Sequence, residues 1–323
     1  MTAQTLEPTP VRRTAGPRAI PFLAATGFVV FWSCGFIGAR WGTEYSSAFN
    51  LLAWRYLLAG SIAAAVLLIR RPRVSRKDLV TQLVMAVCCQ FIYLGLIFIG
   101  IDHGITAGVT ALIGSLQPIL IATVAGPLLG ERVTARQSIG LLLGVVGVGM
   151  VVADDLTAEN AVLFLLPIGG LLGLVVGTVF ERHRKPTVGL LNSLCLQTLV
   201  SAVLFVSVTA VTGQLTVPRE AAFYGATLWL VVLATGGGWG QYLVNLRLSG
   251  ATRISILMYL VPPTTMVFAF LLFDETVGGL AALGMVVCAI AVLLATLRSW
   301  RNRGGWMTKS SKPGERSSQP SGW

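Results

Sequence analysis

Long apolar stretches, separated at intervals by short polar or basic segments, set the pattern of this chain. Ten of them are nearly free of charge, at 22–40, 49–69, 79–101, 104–130, 137–153, 160–180, 187–212, 221–246, 254–273 and 277–297. A hydrocarbon core of about 30 Å needs roughly 20 apolar residues at 1.5 Å of helical rise each, so every stretch is close to one crossing. Lipid offers no partner to a backbone N–H or C=O, which leaves helices or a closed barrel. The runs lack the period-two alternation of barrel strands. The pattern therefore predicts an all-α, polytopic membrane protein with ten transmembrane helices.

Composition agrees with this reading. Apolar residues make up 54% and charged residues 11% of the 323, with a mean hydropathy of +0.77, far from the roughly 25% charged residues of a soluble domain. The net charge of +11 does not point to nucleic acid, because the basic residues fall in alternate connections, as the positive-inside rule requires. Arg12, Arg13 and Arg18, then Arg70 to Lys77, Arg132 and Arg136, Arg182 to Lys185, Arg247 and Arg253, and the tail from Arg298 lie on one side. The other side holds Arg40 and Arg219 with Glu44, Asp102, Asp154, Asp155 and Glu159. Both termini are expected in the cytoplasm and the chain in the inner (plasma) membrane. Residues 1–18 and 304–323 are rich in Pro, Ser, Thr, Gly and basic residues, and are expected to be disordered tails.

Several chemistries find no residues to carry them. The five cysteines lie within spans, form no C-x-x-C pair and have no nearby His, and His103 and His183 lie at opposite faces, so neither a metal site nor a disulfide framework is indicated. No phosphate-binding Gly-rich loop with a following Lys appears. The thirteen acidic residues all fall in tails, loops or helix ends, so no proton relay through a mid-membrane carboxylate is visible. Coupling through a boundary carboxylate such as Glu131, Glu181 or Glu275 stays open. No cofactor and no enzymatic activity are expected.

An internal repeat adds specificity. A gap-free shift of 144 residues places Ala107 on Ala251, Leu116 on Leu260, Pro118 on Pro262, Glu131 on Glu275 and Gly140 on Gly284. Apolar coincidences are cheap, but Pro, Glu and Gly at matched spacing are not. Five crossings per unit is odd, so the second unit enters from the opposite side, and the chain is expected to form two inverted five-helix repeats, 22–153 and 160–297. Such halves support alternating access about a midplane site.

The spacing S-L-Q-P-x12-E from Ser115 to Glu131 and Y-L-V-P-x12-E from Tyr259 to Glu275 resembles the repeated signature of EamA-type permeases of the drug/metabolite transporter superfamily. The W-R-Y-L-L-A-G segment from Trp54 to Gly60 is similar to that family's arginine-bearing second helix. The resemblance covers about 22–297 and implies a ten-helix carrier, often an exporter of amino acids, related metabolites or toxic compounds. The alternatives are a carrier of a sugar conjugate or lipid-linked group, or a non-transporting sensor of the same fold. Partners are then the bilayer and a small-molecule substrate, with no nucleic acid, and a homodimer stays open.

Arg55 stands about six residues into its span, roughly 9 Å deep, either snorkelling to headgroups or facing inward to hold a carboxylate bidentately. Polar and aromatic residues at depth, Trp32, Tyr93, Gln117, Gln197, Trp239, Gln241 and Tyr259, are either interhelical glue or the walls of a weakly polar cavity. Pro118 and Pro262 are expected to kink their helices, as hinges or as exposed carbonyls, although proline is also simply tolerated in membrane helices. Glu131 and Glu275 either cap the following helix or act as gates, pairing with a basic residue in one state only.

Overall fold

The computed structural model describes residues 19–121, 124, 135–155, 161–238, 240–241, 257–258, 260–276 and 278–304. The expected terminal tails lie outside them, 1–18 wholly and 304–323 from residue 305 onward. Among the described residues the chain is all-helical, with no strand. In order come α1 (Ala19–Thr43), α2 (Ala48–Arg70), α3 (Arg76–Met85), a π-helical stretch at Ala86–Ile92, and α4 (Tyr93–Asp102). They are followed by α5 (Ala107–Gly114), α6 (Ala135–Asp155), a short 3-10 turn (Ala161–Phe164), α7 (Leu165–Arg184) and α8 (Leu190–Val211). Next stand α9 (Ala221–Trp229), a second π-helical stretch at Leu230–Gly238, α10 (Val261–Phe273) and α11 (Gly279–Gly304).

Among the described residues, six helical segments are long and apolar enough to cross a membrane, and four shorter apolar helices accompany them. Large apolar side chains such as Leu142, Val176, Val203 and Leu271 are exposed on the outside of the bundle. A soluble protein would bury them, whereas lipid solvates them. The chain is a multi-pass membrane protein.

Helix ends follow local chemistry. Ser47, Ser75 and Thr106 cap α2, α3 and α5 by accepting from the backbone N–H of Asn50, Asp78 and Val109, which satisfies donors that would otherwise be orphaned. At the C-terminal ends of α2 and α7, Arg71 and Lys185 adopt left-handed backbone at φ 43° and 48°. The clustered cations there complement the negative end of each helix dipole.

Irregularities recur at the 144-residue offset. The two π-helical stretches begin at Ala86 and Leu230. The two prolines also take matched places, but not as kinks. The chain turns at Ser115 and Leu116 before the helix resumes at Gln117, and Leu260 is the N-cap of α10 with Pro262 in its first turn. Pro118 and Pro262 thus start helical stretches after a break, because a first-turn proline has no intrahelical N–H bond to lose. The expectation of mid-helix kinks is corrected on this point.

Packing is pairwise. α2 lies against α8, α6 against α11, α5 against α10, α1 against α9 and the second π stretch, and α4 with the first π stretch against α7. One end of the bundle is tied by cross-links between connections. The Ala48 N–H donates to Asp102 Oδ2 (3.1 Å), Asn50 Nδ2 to Thr216 Oγ1 (3.0 Å), and the Ala281 N–H to Asp154 Oδ2 (3.2 Å). At the other end Asp78 accepts from the Thr187 N–H (3.0 Å) and hydroxyl (2.9 Å).

Close approach rests on small residues, as expected where dispersion rather than the hydrophobic effect holds helices together. Across the α6–α11 pair, a Cβ on Gly147 would lie 2.8 Å from the Gly284 carbonyl oxygen and 2.9 Å from the Cys288 nitrogen. Backbone cannot yield as a flexible side chain does. Gly147→Ala is therefore expected to cost about 1–3 kcal/mol, read as a lower midpoint of thermal unfolding in detergent. Gly149→Ala, with nothing within 4 Å of the new methyl, should leave that midpoint unchanged or slightly raised.

Candidate functional site

The bundle encloses a cavity of about 230 Å³. Its walls come from α1 to α4, α7, α8 and both π stretches, with Gln117 and Met258, and the polar groups lining it are few, so each is traceable to the element that places it. The π geometry is one reason, since an i→i+5 turn re-aims side chains and loosens the backbone ladder. Gln90 on the first π stretch and Ala234 on the second face the cavity, together with Trp32 and Phe36 of α1 and Tyr93 and Phe98 of α4.

Arg55 is turned inward and is 5% exposed. Its Nη2 donates to Thr235 Oγ1 at 3.2 Å, and its guanidinium lies over the rings of Tyr56 (5.4 Å) and Phe98 (5.8 Å). Thr235 is held in turn by donating to the Leu230 carbonyl (3.1 Å) inside the second π stretch. The Nε of Arg55 has no hydrogen-bond partner, and among the described residues no carboxylate pairs with the guanidinium. Aromatic faces recover part of the lost hydration. A buried cation without an anion stays costly, by several kcal/mol even after relaxation, so the site is electrostatically incomplete toward an anion.

A second polar feature is a chain of buried amides between α3, the first π stretch and α8. Ser201 Oγ donates to Gln90 Oε1 (2.9 Å), Gln90 Nε2 to Gln197 Oε1 (3.3 Å), and Gln197 Nε2 to Gln82 Oε1 (2.7 Å). Gln90 and Gln197 present one edge to the cavity. Toward the end of the bundle that carries Thr187, the lining passes through Met85, Cys89, Ser193 and Leu194 to Glu181, the second charged residue of the wall.

The residues singled out in the sequence are distributed unevenly. Trp32, Arg55, Tyr93, Gln117 and Gln197 line the cavity together. Pro118 borders a small adjoining pocket that shares Trp32, Tyr93 and Gln117. Gln241 stands outside the lining, beside Gly27 of α1. Pro262 is buried in the first turn of α10. Glu275 accepts from Arg40 Nε at 3.2 Å, while Arg40 Nη1 reaches Glu44 Oε1 at 3.0 Å and its guanidinium lies over Phe273. Trp239, Tyr259 and Glu131 lie outside the described residues. The pattern of the chain does not single out Thr235, whose place depends on a π-helical register that an apolar run conceals. The available signal was a threonine at depth in the mostly apolar eighth stretch.

Comparison with known proteins bears on what this cavity serves. The chain matches the EamA-like transporter family twice, over residues 19–153 and 161–297. A probable amino-acid metabolite efflux pump of Escherichia coli (strain K12) is 24% identical over 273 residues, covering 80% of this chain and 89% of that protein. A probable terminal-alkyne amino-acid exporter of Streptantibioticus cattleyicolor is 27% identical over 300 residues, covering 89% and 96%. A solved crystal structure superposes with a TM-score of 0.63 at 18% identity, covering 88% of this chain and 99% of that one. This likeness establishes a shared fold.

The amide chain yields a prediction about stability. Gln197→Leu strands the Gln90 amide nitrogen and the Gln82 carbonyl oxygen, and each loss of a buried partner costs about 1–3 kcal/mol. Its unfolding midpoint in detergent should fall clearly below that of Gln214→Leu, which alters an exposed contact with Ser47.

Proposed function

The chain belongs to the EamA-like transporter family, and from that premise we propose that it is a secondary carrier exporting a small carboxylate-bearing metabolite of amino-acid type by alternating access. The observation that carries this reading is the buried guanidinium of Arg55, inside a cavity and without a carboxylate partner among the described residues. A guanidinium grips a carboxylate with two parallel hydrogen bonds. The aromatic wall around it suits an apolar side chain or the face of an ammonium group. Trp32, Tyr93, Gln117 and Gln197 complete the proposed contact surface, and Trp239, Gln241 and Tyr259 remain proposed contacts from sequence. The names of the two exporters among the relatives favour the outward direction.

The proposed architecture is ten helices in two inverted repeats. Its support is the 144-residue recurrence of the π stretches, the caps Leu116 and Leu260, and the prolines. Further support comes from a contact pattern that maps onto itself when the two halves are exchanged. In the proposed orientation, which the basic segments at 70–77 and 182–185 support, the Glu181 end of the cavity and both termini face the cytoplasmic side of the plasma membrane. The broken helices at Pro118 and Pro262 are the proposed hinges.

The pair Arg40–Glu275 joins the end of α1 to the end of α10, and so ties one repeat to the other at the proposed outer face. The same 144-residue shift that places Glu131 on Glu275 places Arg40 on Arg184, so Glu131 with Arg184 is the proposed inner counterpart. An ion pair this exposed is worth up to about 1 kcal/mol. That is enough to bias an equilibrium several-fold without locking it.

Counterflow in proteoliposomes loaded with a pooled metabolite mixture, read by mass spectrometry, tests the carrier reading and identifies the substrate. With that substrate, Arg55→Lys should keep the charge and lose apparent affinity by about tenfold, since a point ammonium cannot reproduce the two-pronged contact. Arg55→Gln should lose more. A Lys variant equal to wild type would remove Arg55 from the binding site.

The gate is checked separately. In a variant lacking native cysteines and carrying Gln117→Cys, Glu275→Arg should increase labelling by an impermeant thiol reagent added outside. Combining it with Arg40→Glu should return labelling toward the starting level. Labelling that ignores the charge at 275 would make the pair a passive contact.

A further inference from the structure

We infer that Glu181 is the station for a coupling proton, which the carrier exchanges for its substrate; this rests on the carrier reading above. Among the described residues the cavity wall holds two charged side chains, Arg55 and Glu181. Glu181 is half-buried in the last turns of α7, and its carboxylate makes no hydrogen bond or ion pair with a described residue. Of the cations on its own helix, the adjacent Arg182 exerts an electrostatic pull but forms no ion pair with it. Arg184 lies over the Phe180 ring (5.8 Å), and Arg182 and His183 point to the exposed side. The facing π stretch offers the thiols of Cys88 and Cys89, and the nearby Asp78 of α3 is engaged by Thr187. The α8 residues across the lining, Leu190, Ser193, Leu194 and Gln197, carry no charge.

Three cations compete for such a carboxylate, and geometry separates them. The first is the substrate's own ammonium. With its carboxylate on Arg55, an α-amino acid keeps its ammonium two bonds away from that carboxylate. Glu181 stands one helical turn beyond Gly177, which meets Cys89, whereas Arg55 lies over Phe98. From Cys89 to Phe98 is roughly 13 Å of helical rise, so one α-amino acid does not reach both groups. The second is a metal cation, which takes about six oxygen ligands. Around Glu181 stand a thioether, a thiol and leucines, and the Thr178 hydroxyl already donates to the Leu174 carbonyl at 2.7 Å. No group of three metal-ligating side chains occurs among the described residues. The third is a proton, which needs a single carboxylate oxygen, and the Glu181 carboxylate in the cavity wall supplies it. Ionisable groups on intramembrane pathways commonly serve in this way.

The cycle balances without another reactant. With the cavity open outward, the Glu181 carboxylate takes a proton from outside water and becomes a neutral carboxyl. After the cavity reopens inward, the proton leaves to cytoplasmic water and the carboxylate is restored. The substrate moves in the opposite direction on Arg55, and the imposed proton gradient supplies the work.

The test uses the full chain in proteoliposomes, with pooled proteinogenic L-amino acids as the probe and a trapped pH-sensitive dye. Wild type should accumulate the amino acid that counterflow selects when a proton gradient is imposed, and adding that amino acid should move protons across the membrane. Glu181→Gln should lose both responses while its counterflow exchange persists, which also reports that it is folded. Glu181→Asp should retain both. A Gln variant that still accumulates substrate on the proton gradient overturns the proposal, as does a wild type indifferent to that gradient. Loss of counterflow in the Gln variant would make Glu181 a substrate contact and equally overturn it. Absence of counterflow in wild type would instead remove the carrier reading, and this inference with it.

Discussion

Every backbone polar group that enters lipid has to find its partner within the protein, and the rest of this structure follows from that constraint. It makes the chain helical wherever it is apolar. It also raises the stakes wherever the helical ladder is interrupted, because a break in the hydrocarbon region is tolerated only where protein or a water-lined cavity covers it. The interruptions here are the two π stretches and the two proline-led restarts. The cavity forms where they converge: Gln90 and Thr235 reach it or its arginine from the π stretches, and Gln117 comes from the restart after Leu116.

Within that cavity, electrostatics is organised by separation. A guanidinium held by one hydroxyl and two aromatic faces retains its appetite for an anion, because none of these neighbours carries a negative charge. A carboxylate in the same wall would quench it if the two met. Glu181 forms no ion pair with it, although both groups line the same cavity. The buried amides of Gln82, Gln90 and Gln197 bridge the intervening wall with neutral dipoles, which hold helices together without adding a competing charge.

Helix contacts supply the rigidity that such a site needs. The pairs α2–α8 and α6–α11 approach through small residues, Gly60 against Ala202 and Gly147 against Gly284. Larger side chains there would force the helices apart and cost the dispersion contacts that replace the hydrophobic effect in lipid. Besides the buried amide chain, further polar cross-links stand at the ends of the bundle, such as Asn50 with Thr216 and Asp78 with Thr187. Arg40 with Glu275 joins the ends of α1 and α10 through an ion pair worth up to about 1 kcal/mol.

Much was legible in the linear pattern. Apolar run lengths located the six helical segments long enough to cross a membrane among the described residues, since crossing length depends only on bilayer thickness and helical rise, and the matched Pro, Glu and Gly exposed the repeat and the family, because such residues are sparse inside spans. Trp32, Arg55, Tyr93, Gln117 and Gln197 were recognisable as polar or aromatic groups at depth. Whether Arg55 faced lipid or protein was not, because snorkelling and inward burial share one sequence and differ by a rotation of the helix. The π registers that aim Gln90 and Thr235 were hidden for a related reason: an i→i+5 turn leaves composition untouched and is stabilised by neighbours rather than by its own residues. The prolines read as kinks because sequence shows a missing donor but not where the helix stops, and only packing against other elements places the break. The chain alone determined that there are buried helices and which rare groups they carry. Tertiary structure decided which of those groups meet, because a meeting depends on helix rotation and on contacts between residues more than a hundred positions apart.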